Sequence, residues 1–186
     1  MYRDPEFIMY VGPMFGAKTS RLLSAIDRCK YQSLSVAVFK PKMDDRYSPS
    51  TITTHTGMSV PAICVSRGDE IIQEVNGIGE CDVVAVDEAF MIEGSAEALL
   101  ALFRRGKTVI VSSIQLSASG LPFEEVRDMM PYATRVEVCP AVCTVSGRDA
   151  YYTERRVQGL GEIAVGGSDL YYPVSWQHHH FINKRG

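Results

Sequence analysis

The segment with the clearest chemical signature lies near the N-terminus, between an apolar run and an amphipathic stretch. The apolar run, residues 7–11, is followed by Gly12-Pro13-Met14-Phe15-Gly16-Ala17-Lys18-Thr19-Ser20. A strand, a glycine-containing turn, a Lys-Thr pair and a helix are typical of a loop that binds phosphate through backbone N–H groups and the helix dipole. Lys18 can reach the β- and γ-phosphates of a nucleotide, and the Thr19 hydroxyl can bind Mg²⁺. All residues from 12 to 20 are therefore predicted to contribute to a nucleotide-phosphate site.

This turn departs from the usual phosphate-loop pattern, G-x-x-x-x-G-K-[ST], at one position. The residue before Lys18 is Ala17, and Gly16 stands one place early. A Cβ in the left-handed region of φ costs roughly 1–2 kcal/mol, so we expect a weakened but functional ATP site. Two accommodations remain open: Ala17 takes the strained conformation, or Gly16 moves the flexible point one residue back.

A second chemical motif is an acidic pair at the end of another apolar run. Asp87 and Glu88 directly follow residues 83–86, which are Val-Val-Ala-Val. Next to a phosphate loop, Asp87 is predicted to hold Mg²⁺ directly or through water. Glu88 is predicted to take a proton from the attacking hydroxyl or water. The alternative, a pair of solvated carboxylates at a strand end, is less favoured because the phosphate loop is present.

A third charged segment, residues 40–47, follows a further apolar run. Charged residues at the carboxyl edge of a parallel sheet face the ligand crevice. Arg46 is thus a candidate to stabilise charge on the transferred phosphoryl group, and Asp44 a candidate to position Mg²⁺ or the arginine. A solvated charged loop is the alternative interpretation.

Alternating apolar runs and helix-like stretches predict the elements that position these residues. The predicted strands are 7–11, 35–39, 82–86, 107–112 and 134–138, and the predicted helices are 18–31, 68–75, 94–105 and 123–130. Continuous apolar strands separated by helices indicate an α/β fold with a parallel sheet and helices on both faces. After residue 138 the sequence becomes rich in tyrosine and glycine. This change in composition predicts two units, a nucleotide-binding core over 1–138 and a small hairpin lobe over 139–186.

The bulk composition narrows the class of protein. Of 186 residues, 46% are hydrophobic and 22% are charged, and the formal net charge is −3. These values are typical of a soluble globular protein and give no electrostatic basis for binding nucleic acid or a membrane, which also disfavours a nucleic-acid motor. No segment reaches the roughly 18 apolar residues of a membrane helix. Five scattered cysteines favour reduced thiols and a cytoplasmic location.

Taken in order, these motifs resemble those of type II thymidine kinases, a cytosolic family with a P-loop NTPase (RecA-like) core and a small zinc-bearing lobe. The resemblance runs from about residue 7 to residue 181. It is carried by residues 12–19, 40–48, 87–88, 120–123, 141–143, 150–153 and 165–171. It implies Mg²⁺-dependent transfer of the γ-phosphoryl group of ATP to the 5′-hydroxyl of a pyrimidine deoxynucleoside, thymidine to dTMP. It also implies a homotetramer that serves nucleoside salvage and DNA synthesis.

The resemblance also implies roles for individual residues. Glu88 is the base on the 5′-hydroxyl, and Lys18 and Arg46 complete the catalytic set. The implied Mg²⁺ group is Thr19, Asp87 and Asp44. The implied nucleoside pocket, closed by a lasso loop, consists of Met14, Phe90, Met91, Ala118, Phe123, Ala164, Val165, Gly166 and Tyr171.

The base pocket departs from the family pattern. Phe90 stands where the family has glutamine, Met91 where it has phenylalanine, and Gln115 where it has aspartate. Ala118 replaces the base-stacking phenylalanine, whose loss removes about 1 kcal/mol of stacking. Phe90 could refill that space. Three functions remain open: a thymidine kinase, a kinase for a modified pyrimidine nucleoside or nucleotide, and a homologue that binds nucleotide without turnover.

The zinc site of the family is also altered. Its two C-x-x-C pairs read Cys-Thr-Val-Ser from Cys143 and Ser-Trp-Gln-His up to His178, so only these two ligands remain. Structural zinc needs four nitrogen or sulfur ligands. Cys139, His179 or His180 could complete a set, but we expect no structural zinc, a lobe held by packing and a solvated histidine tail.

Overall fold

The computed structural model describes residues 4–43, 50–54, 57–157, 163 and 165–182. Its strands are β1 (Phe7–Val11), β2 (Val36–Pro41), β3 (Thr51–Thr53), β4 (Ser59–Pro61), β5 (Ile63–Val65), β6 (Val83–Val86), β7 (Thr108–Ser113), β8 (Arg135–Val138), β9 (Ala141–Val142), β10 (Asp149–Ala150), β11 (Tyr152–Arg155) and β12 (Tyr171–Val174). Its helices are α1 (Lys18–Tyr31), α2 (Gly68–Ile78), α3 (Ser95–Arg104) and α4 (Glu124–Met129).

A six-stranded parallel sheet forms the centre of the molecule, in the order β5-β2-β6-β7-β1-β8. Every residue of β1 and β6 is buried, which is why these strands are apolar without polar alternation. The predicted α/β fold, a P-loop (RecA-like) sheet, is confirmed. The predicted strand and helix positions agree with the structure to within a few residues.

Helices cover both faces of this sheet. Successive side chains of a strand point to opposite faces, so Phe7 and Met9 of β1 pack on one side while Ile8 and Tyr10 pack on the other. The first side carries the apolar residues of α2, α3 and α4, and the second side carries the apolar face of α1. The two clusters together hold β1 and β6 rigidly, and the site residues follow these strands.

The sequence did not predict β3, β4 and β5. The first two form an antiparallel hairpin, and β5 adds a parallel edge to β2. Each is only three residues long, in a stretch rich in Ser, Thr and Pro, so neither periodicity nor an apolar run marks it.

Two antiparallel pairs, β9 with β10 and β11 with β12, follow the central sheet. Small buried residues from three of these strands and the turn after β9 form their shared core: Ala141, Cys143, Ala150 and Val174. Trp176, in the 3₁₀ turn after β12, is 46% exposed and lies outside this core. The prediction of a solvated histidine tail was wrong for one residue, because His179 is only 2% exposed.

No helix in the described parts of the chain is long and apolar enough to cross a membrane.

Candidate functional site

The backbone of the loop between β1 and α1 shows which residue, Gly16 or Ala17, adopts the left-handed conformation. Ala17, immediately before α1, has φ 55° and ψ 23°, in the left-handed region. Gly16 is not among the residues with positive φ, whereas Phe15 is, at 65°. Of the two alternatives, the structure therefore has the first: Ala17 carries the strain, about 1–2 kcal/mol.

Gly16 is required for a different reason, a close approach of two backbones. A Cβ at Gly16 would lie 2.4 Å from the carbonyl oxygen of Cys139, and one at Gly12 would lie 2.3 Å from the same atom. The Cys139 N–H in turn donates to the Val11 carbonyl at 2.7 Å. The end of β8 therefore presses against the loop at two glycines and fixes its shape.

Two buried lysines border the space in front of this loop. Lys18 is 6% exposed and its Nζ donates to the Pro13 carbonyl at 2.6 Å. Lys40, at the end of β2, is 4% exposed and its Nζ donates to the Thr51 carbonyl at 3.4 Å. Buried ammonium groups are costly unless they meet anions, so this arrangement suits a polyphosphate. Lys40 was not predicted as a site residue, although its place after a buried strand was a usable signal.

Asp87 lies between the loop and the sheet. The Thr19 hydroxyl donates to Asp87 Oδ1 at 3.1 Å, and the Ser112 hydroxyl donates to the same oxygen. Burial, and then the neighbouring Glu88 carboxylate, raise the pKa of Asp87 to about 7. A hydroxyl and a carboxylate are hard oxygen ligands of the kind Mg²⁺ prefers, and a buried carboxylate with a raised pKa gains from a nearby cation. Thr19 and Asp87 thus fit the predicted magnesium site.

Glu88, the residue predicted as the base, has an unusual backbone conformation. Its φ is 49° and its ψ is 45°, between the end of β6 and a short 3₁₀ turn at Ala89–Met91. A residue with a Cβ in this region is strained, and such strain concentrates at functional sites.

A cavity of about 290 Å³ opens above the loop and contains the predicted phosphate-binding residues from Met14 onward. Gly12 and Pro13 lie behind it. Its lining is Met14, Phe15, Gly16, Ala17, Lys18, Thr19, Ser20, Lys40, Thr51, Ile52, Thr53, Thr54, Asp87, Glu88, Gly167, Ser168 and Asp169. Sequence reasoning did not assign residues 51–54 and 167–169 to the phosphate site, because their position follows from tertiary folding alone.

A second, smaller cavity of about 30 Å³ adjoins it and contains most of the predicted nucleoside pocket. Its lining is Met14, Glu88, Phe90, Met91, Ile114, Leu116, Ser117, Ala118, Phe123, Thr153, Arg155, Ile163, Gly166 and Tyr171. Met14 and Glu88 line both cavities. The predicted base therefore stands at the border between a polar phosphate cavity and an apolar one.

Aromatic rings fill the wall of the smaller cavity. Phe90 is 6% exposed, and its ring centroid lies 4.4 Å from that of Phe123 at an interplanar angle of 37°. Ala118 lines the same cavity. These side chains leave a cavity of about 30 Å³ between them.

The strands β11 and β12 attach this cavity to the phosphate loop. The Met14 N–H donates to the Thr153 hydroxyl at 3.0 Å, and Arg155 Nη2 donates to the Tyr171 hydroxyl at 3.1 Å. Thr153 and Arg155 were not predicted as site residues. The contact between Met14 and Thr153 spans 139 positions in sequence, which no local pattern reveals.

Three predicted site residues, Arg46, Asp44 and Ala164, lie outside the residues that the structure describes. Val165 is partly buried and is not among the lining residues of the smaller cavity.

Two of the residues considered as zinc ligands form a close pair. Cys143 Sγ lies 3.8 Å from His178 Nδ1, and the Ser175 hydroxyl lies 3.0 Å from the same nitrogen. Burial raises the pKa of Cys143, but hydrogen bonds from Ser146 and neighbouring backbone groups outweigh it and lower the pKa to about 5. Within the described ranges, no three His, Cys, Asp or Glu side chains cluster as metal ligands. Cys139 packs against the phosphate loop instead of joining Cys143.

Comparison with known protein families gives one match that spans both cavities. The family model described as "Thymidine kinase" matches residues 6–179. The matched range begins just before β1 and ends after the 3₁₀ turn at Trp176–His178. It therefore contains the phosphate loop, the acidic pair and the aromatic pocket in one alignment.

Proposed function

This chain belongs to the thymidine kinase family, and from that premise we propose that it is an ATP-dependent deoxynucleoside kinase. Membership makes it a nucleoside kinase, a phosphotransferase that binds nucleotides. The finer proposal is that it transfers the γ-phosphoryl group of ATP to the 5′-hydroxyl of a pyrimidine deoxynucleoside, with thymidine as the reference substrate and dTMP as the product.

The position of Glu88 is the observation that supports this proposal most strongly. Glu88 lines the lysine-bordered cavity and the aromatic cavity at once. A nucleoside with its base among Phe90, Phe123 and Tyr171 would have its 5′-hydroxyl beside this carboxylate. A nucleotide in the larger cavity would have its terminal phosphate on the other side. A general base must lie within reach of the proton it removes, and a position between the two cavities supports that role for Glu88.

The chain's own residues would divide the work of phosphoryl transfer. Backbone N–H groups of residues 15–19 and the Lys18 ammonium hold the β- and γ-phosphates, and Lys40 adds a second positive charge. Thr19, Asp87 and Asp44 would hold Mg²⁺, which would supply charge neutralisation on the phosphate oxygens. Glu88 accepts the proton of the 5′-hydroxyl, and Arg46 stabilises the transferred group.

We further propose that the chain has two units. Residues 1–138 form the nucleotide-binding unit, and residues 139–186 form the unit that closes over the nucleoside through the loop around residues 164–171. We also propose a cytoplasmic homotetramer that works in nucleoside salvage for DNA synthesis and binds neither nucleic acid nor membrane, with no structural zinc.

A second candidate function keeps the chemistry and changes the substrate. Ala118 leaves room where the family's phenylalanine would stand, while the Phe90 ring closes the pocket from another side. This rearrangement favours a pyrimidine with a different shape, such as a 5-substituted deoxyuridine or a nucleotide.

The test is a phosphoryl-transfer assay with ATP and Mg²⁺ over thymidine, deoxyuridine, deoxycytidine and 5-substituted deoxyuridines. We expect turnover with at least one of them and its loss in Glu88→Gln. Faster turnover of a substituted base than of thymidine selects the second candidate. ATP binding by calorimetry without turnover of any pyrimidine nucleoside contradicts both, and identifies a binding protein instead.

A further inference from the structure

The C-terminal segment 179–182 packs beside the aromatic cavity and is organised by one buried histidine. His179 Nδ1 accepts hydrogen bonds from the backbone N–H of Phe181 at 3.2 Å and of Ile182 at 3.0 Å. The His179 ring packs edge-on against Tyr152, with centroids 5.4 Å apart. Because Nδ1 accepts, the ring proton of neutral His179 sits on Nε2. That nitrogen is buried and has no hydrogen-bond partner within the described residues. The ring is therefore used to bend the chain.

The bend brings the end of the segment onto a turn that lines the base cavity. A Cβ placed on Gly120 would lie 3.1 Å from Ile182 Cδ1 and 3.6 Å from Phe181 Cβ. Gly120 has φ +78°, and its N–H donates to the Ser117 carbonyl at 3.0 Å. Ser117 and its neighbour Ala118 both line the cavity. Ile182 thus packs on the outer side of the turn that forms this wall.

The same segment is also attached to the opposite wall. The His180 N–H donates to Glu154 Oε1 in a short hydrogen bond. Glu154 is 8% exposed and stands on β11 between Thr153 and Arg155, which both line the cavity. One short segment therefore contacts both the turn at residues 117–121 and the strand β11.

We propose that residues 179–182 form a brace that holds these two walls of the base cavity together, with His179 as its positioning residue. The brace itself follows from the contacts above, and its kinetic consequence rests on the proposed kinase function. His179 touches no reacting group, so its loss should loosen nucleoside binding and leave the phosphate cavity unchanged.

Two substitutions of His179 distinguish the effect of the hydrogen-bond acceptor at Nδ1 from the effect of the volume of the ring. His179→Asn keeps an acceptor oxygen near the place of Nδ1, whereas His179→Leu fills space without an acceptor. Loss of an acceptor for two backbone N–H groups is expected to raise the nucleoside KM about tenfold in His179→Leu. The KM for ATP should stay within about twofold of wild type, and Asn should recover most of the nucleoside KM. Equal KM values in both variants, or a parallel rise in the KM for ATP, would overturn the proposal.

Hydrogen exchange tests the brace without any turnover. We expect the amides of residues 117–121 to exchange faster in His179→Leu than in wild type, and His179→Asn to resemble wild type. Ile182→Ala, which removes the contact with Gly120 and keeps the histidine, should give the same local effect if His179→Leu fails to fold. Unchanged exchange at 117–121 in a folded His179→Leu or Ile182→Ala protein refutes the brace. Absence of turnover in the wild type refutes only the kinase proposal.

Discussion

The Thr19 hydroxyl donates a hydrogen bond to Asp87 Oδ1 at 3.1 Å, across 68 positions of sequence. This contact joins the first helix to the end of β6 and brings together two of the three groups predicted to hold Mg²⁺. The Asp87 carboxylate is buried, and its burial raises its pKa to about 7. A group arranged for a cation is thus a source of instability when no cation is present.

Asp87→Asn should therefore stabilise the nucleotide-free protein at neutral pH. The pKa of Asp87 is raised from 3.8 to about 7, so its favourable contribution is full below pH 3.8 and is lost as the pH rises to about 7. A neutral amide of the same shape avoids burying charge, and we expect a gain of about 1–3 kcal/mol at pH 7.5 in guanidinium unfolding. Mg²⁺-dependent turnover should fall about a hundredfold or more.

Asp82→Asn is the matched control, because hydrogen bonds from Ser35 lower the pKa of Asp82. The pKa shift of Asp82 has the opposite sign to that of Asp87. The ionised Asp82 carboxylate therefore stabilises the folded protein at neutral pH, and the substitution should not raise the free energy of unfolding. Stabilisation by both substitutions would show a general effect of removing negative charge and would contradict the burial argument.

Glu88→Gln should separate chemistry from binding. Removing a general base lowers turnover by about 10²–10⁴-fold. The neutral amide preserves the size of the side chain, so the ATP dissociation constant should change by less than about threefold. Glu93→Gln serves as control, because the Glu93 side chain is 77% exposed. Kinetics and calorimetry on both variants measure this, and a Glu88→Gln enzyme with full turnover would remove Glu88 from the mechanism.

Ala17→Gly and Gly16→Ala, at adjacent positions, should change the free energy of unfolding in opposite directions. Ala17→Gly relieves the left-handed conformation and should raise the free energy of unfolding by about 0.5–1 kcal/mol, after the entropy gained by the unfolded chain. Gly16→Ala places a Cβ 2.4 Å from the Cys139 carbonyl and should lower it by about 2 kcal/mol or more. Because Ala17 itself adopts the left-handed conformation of the loop, ATP affinity should change less than stability does. Denaturant unfolding and ATP calorimetry measure the two effects. A large gain in ATP affinity for Ala17→Gly would mean that the loop changes conformation on binding.

The sequence predicted the central fold well because its strands are buried on both faces. In β1 and β6, uninterrupted burial selects uninterrupted apolar residues, and that signal is local. The same reasoning explains why β3 to β5 went unpredicted. Three residues beside Pro61 are too few to show a period, and their pairing is decided by tertiary contacts.

The site divides in the same way. The phosphate loop and Asp87-Glu88 were predictable, because each follows a strand and carries its chemistry in consecutive residues. The contribution of Thr153 depends on how distant elements meet, and the sequence holds no local record of that. His179 was misread because it stands between two other histidines, and such a triplet has the composition of a solvated tail. The structure exposes His178 and His180 and buries His179.

The aromatic pocket predicts a coupled effect of residues 90 and 118. Phe90→Gln removes the ring that packs 4.4 Å from Phe123, and kcat/KM for the preferred nucleoside should fall about fivefold or more. Ala118→Phe alone must fit a ring into a cavity of about 30 Å³, so it should destabilise the protein. The double variant restores the family's arrangement and should recover thymidine turnover beyond either single variant. A double-mutant cycle measures this, and additive effects would show that the two positions do not share one space.

The pH dependence of stability should report the buried histidine of the brace. Burial lowers the pKa of His179, while Glu154, with Oε1 3.9 Å from Nδ1, raises it to a smaller extent and His180 lowers it. A folded pKa below 6.5 means that the unfolded chain binds more protons as the pH falls, so the contribution of His179 is present above pH 6.5 and is lost below it. Wild type should therefore lose more unfolding free energy between pH 7.5 and 5.5 than His179→Asn does. Asp87 titrates in both proteins, so the difference between them isolates His179. Equal losses in guanidinium unfolding between the two pH values would show that folding does not lower the pKa of His179, and would contradict the role of Nδ1 as the acceptor that bends the chain.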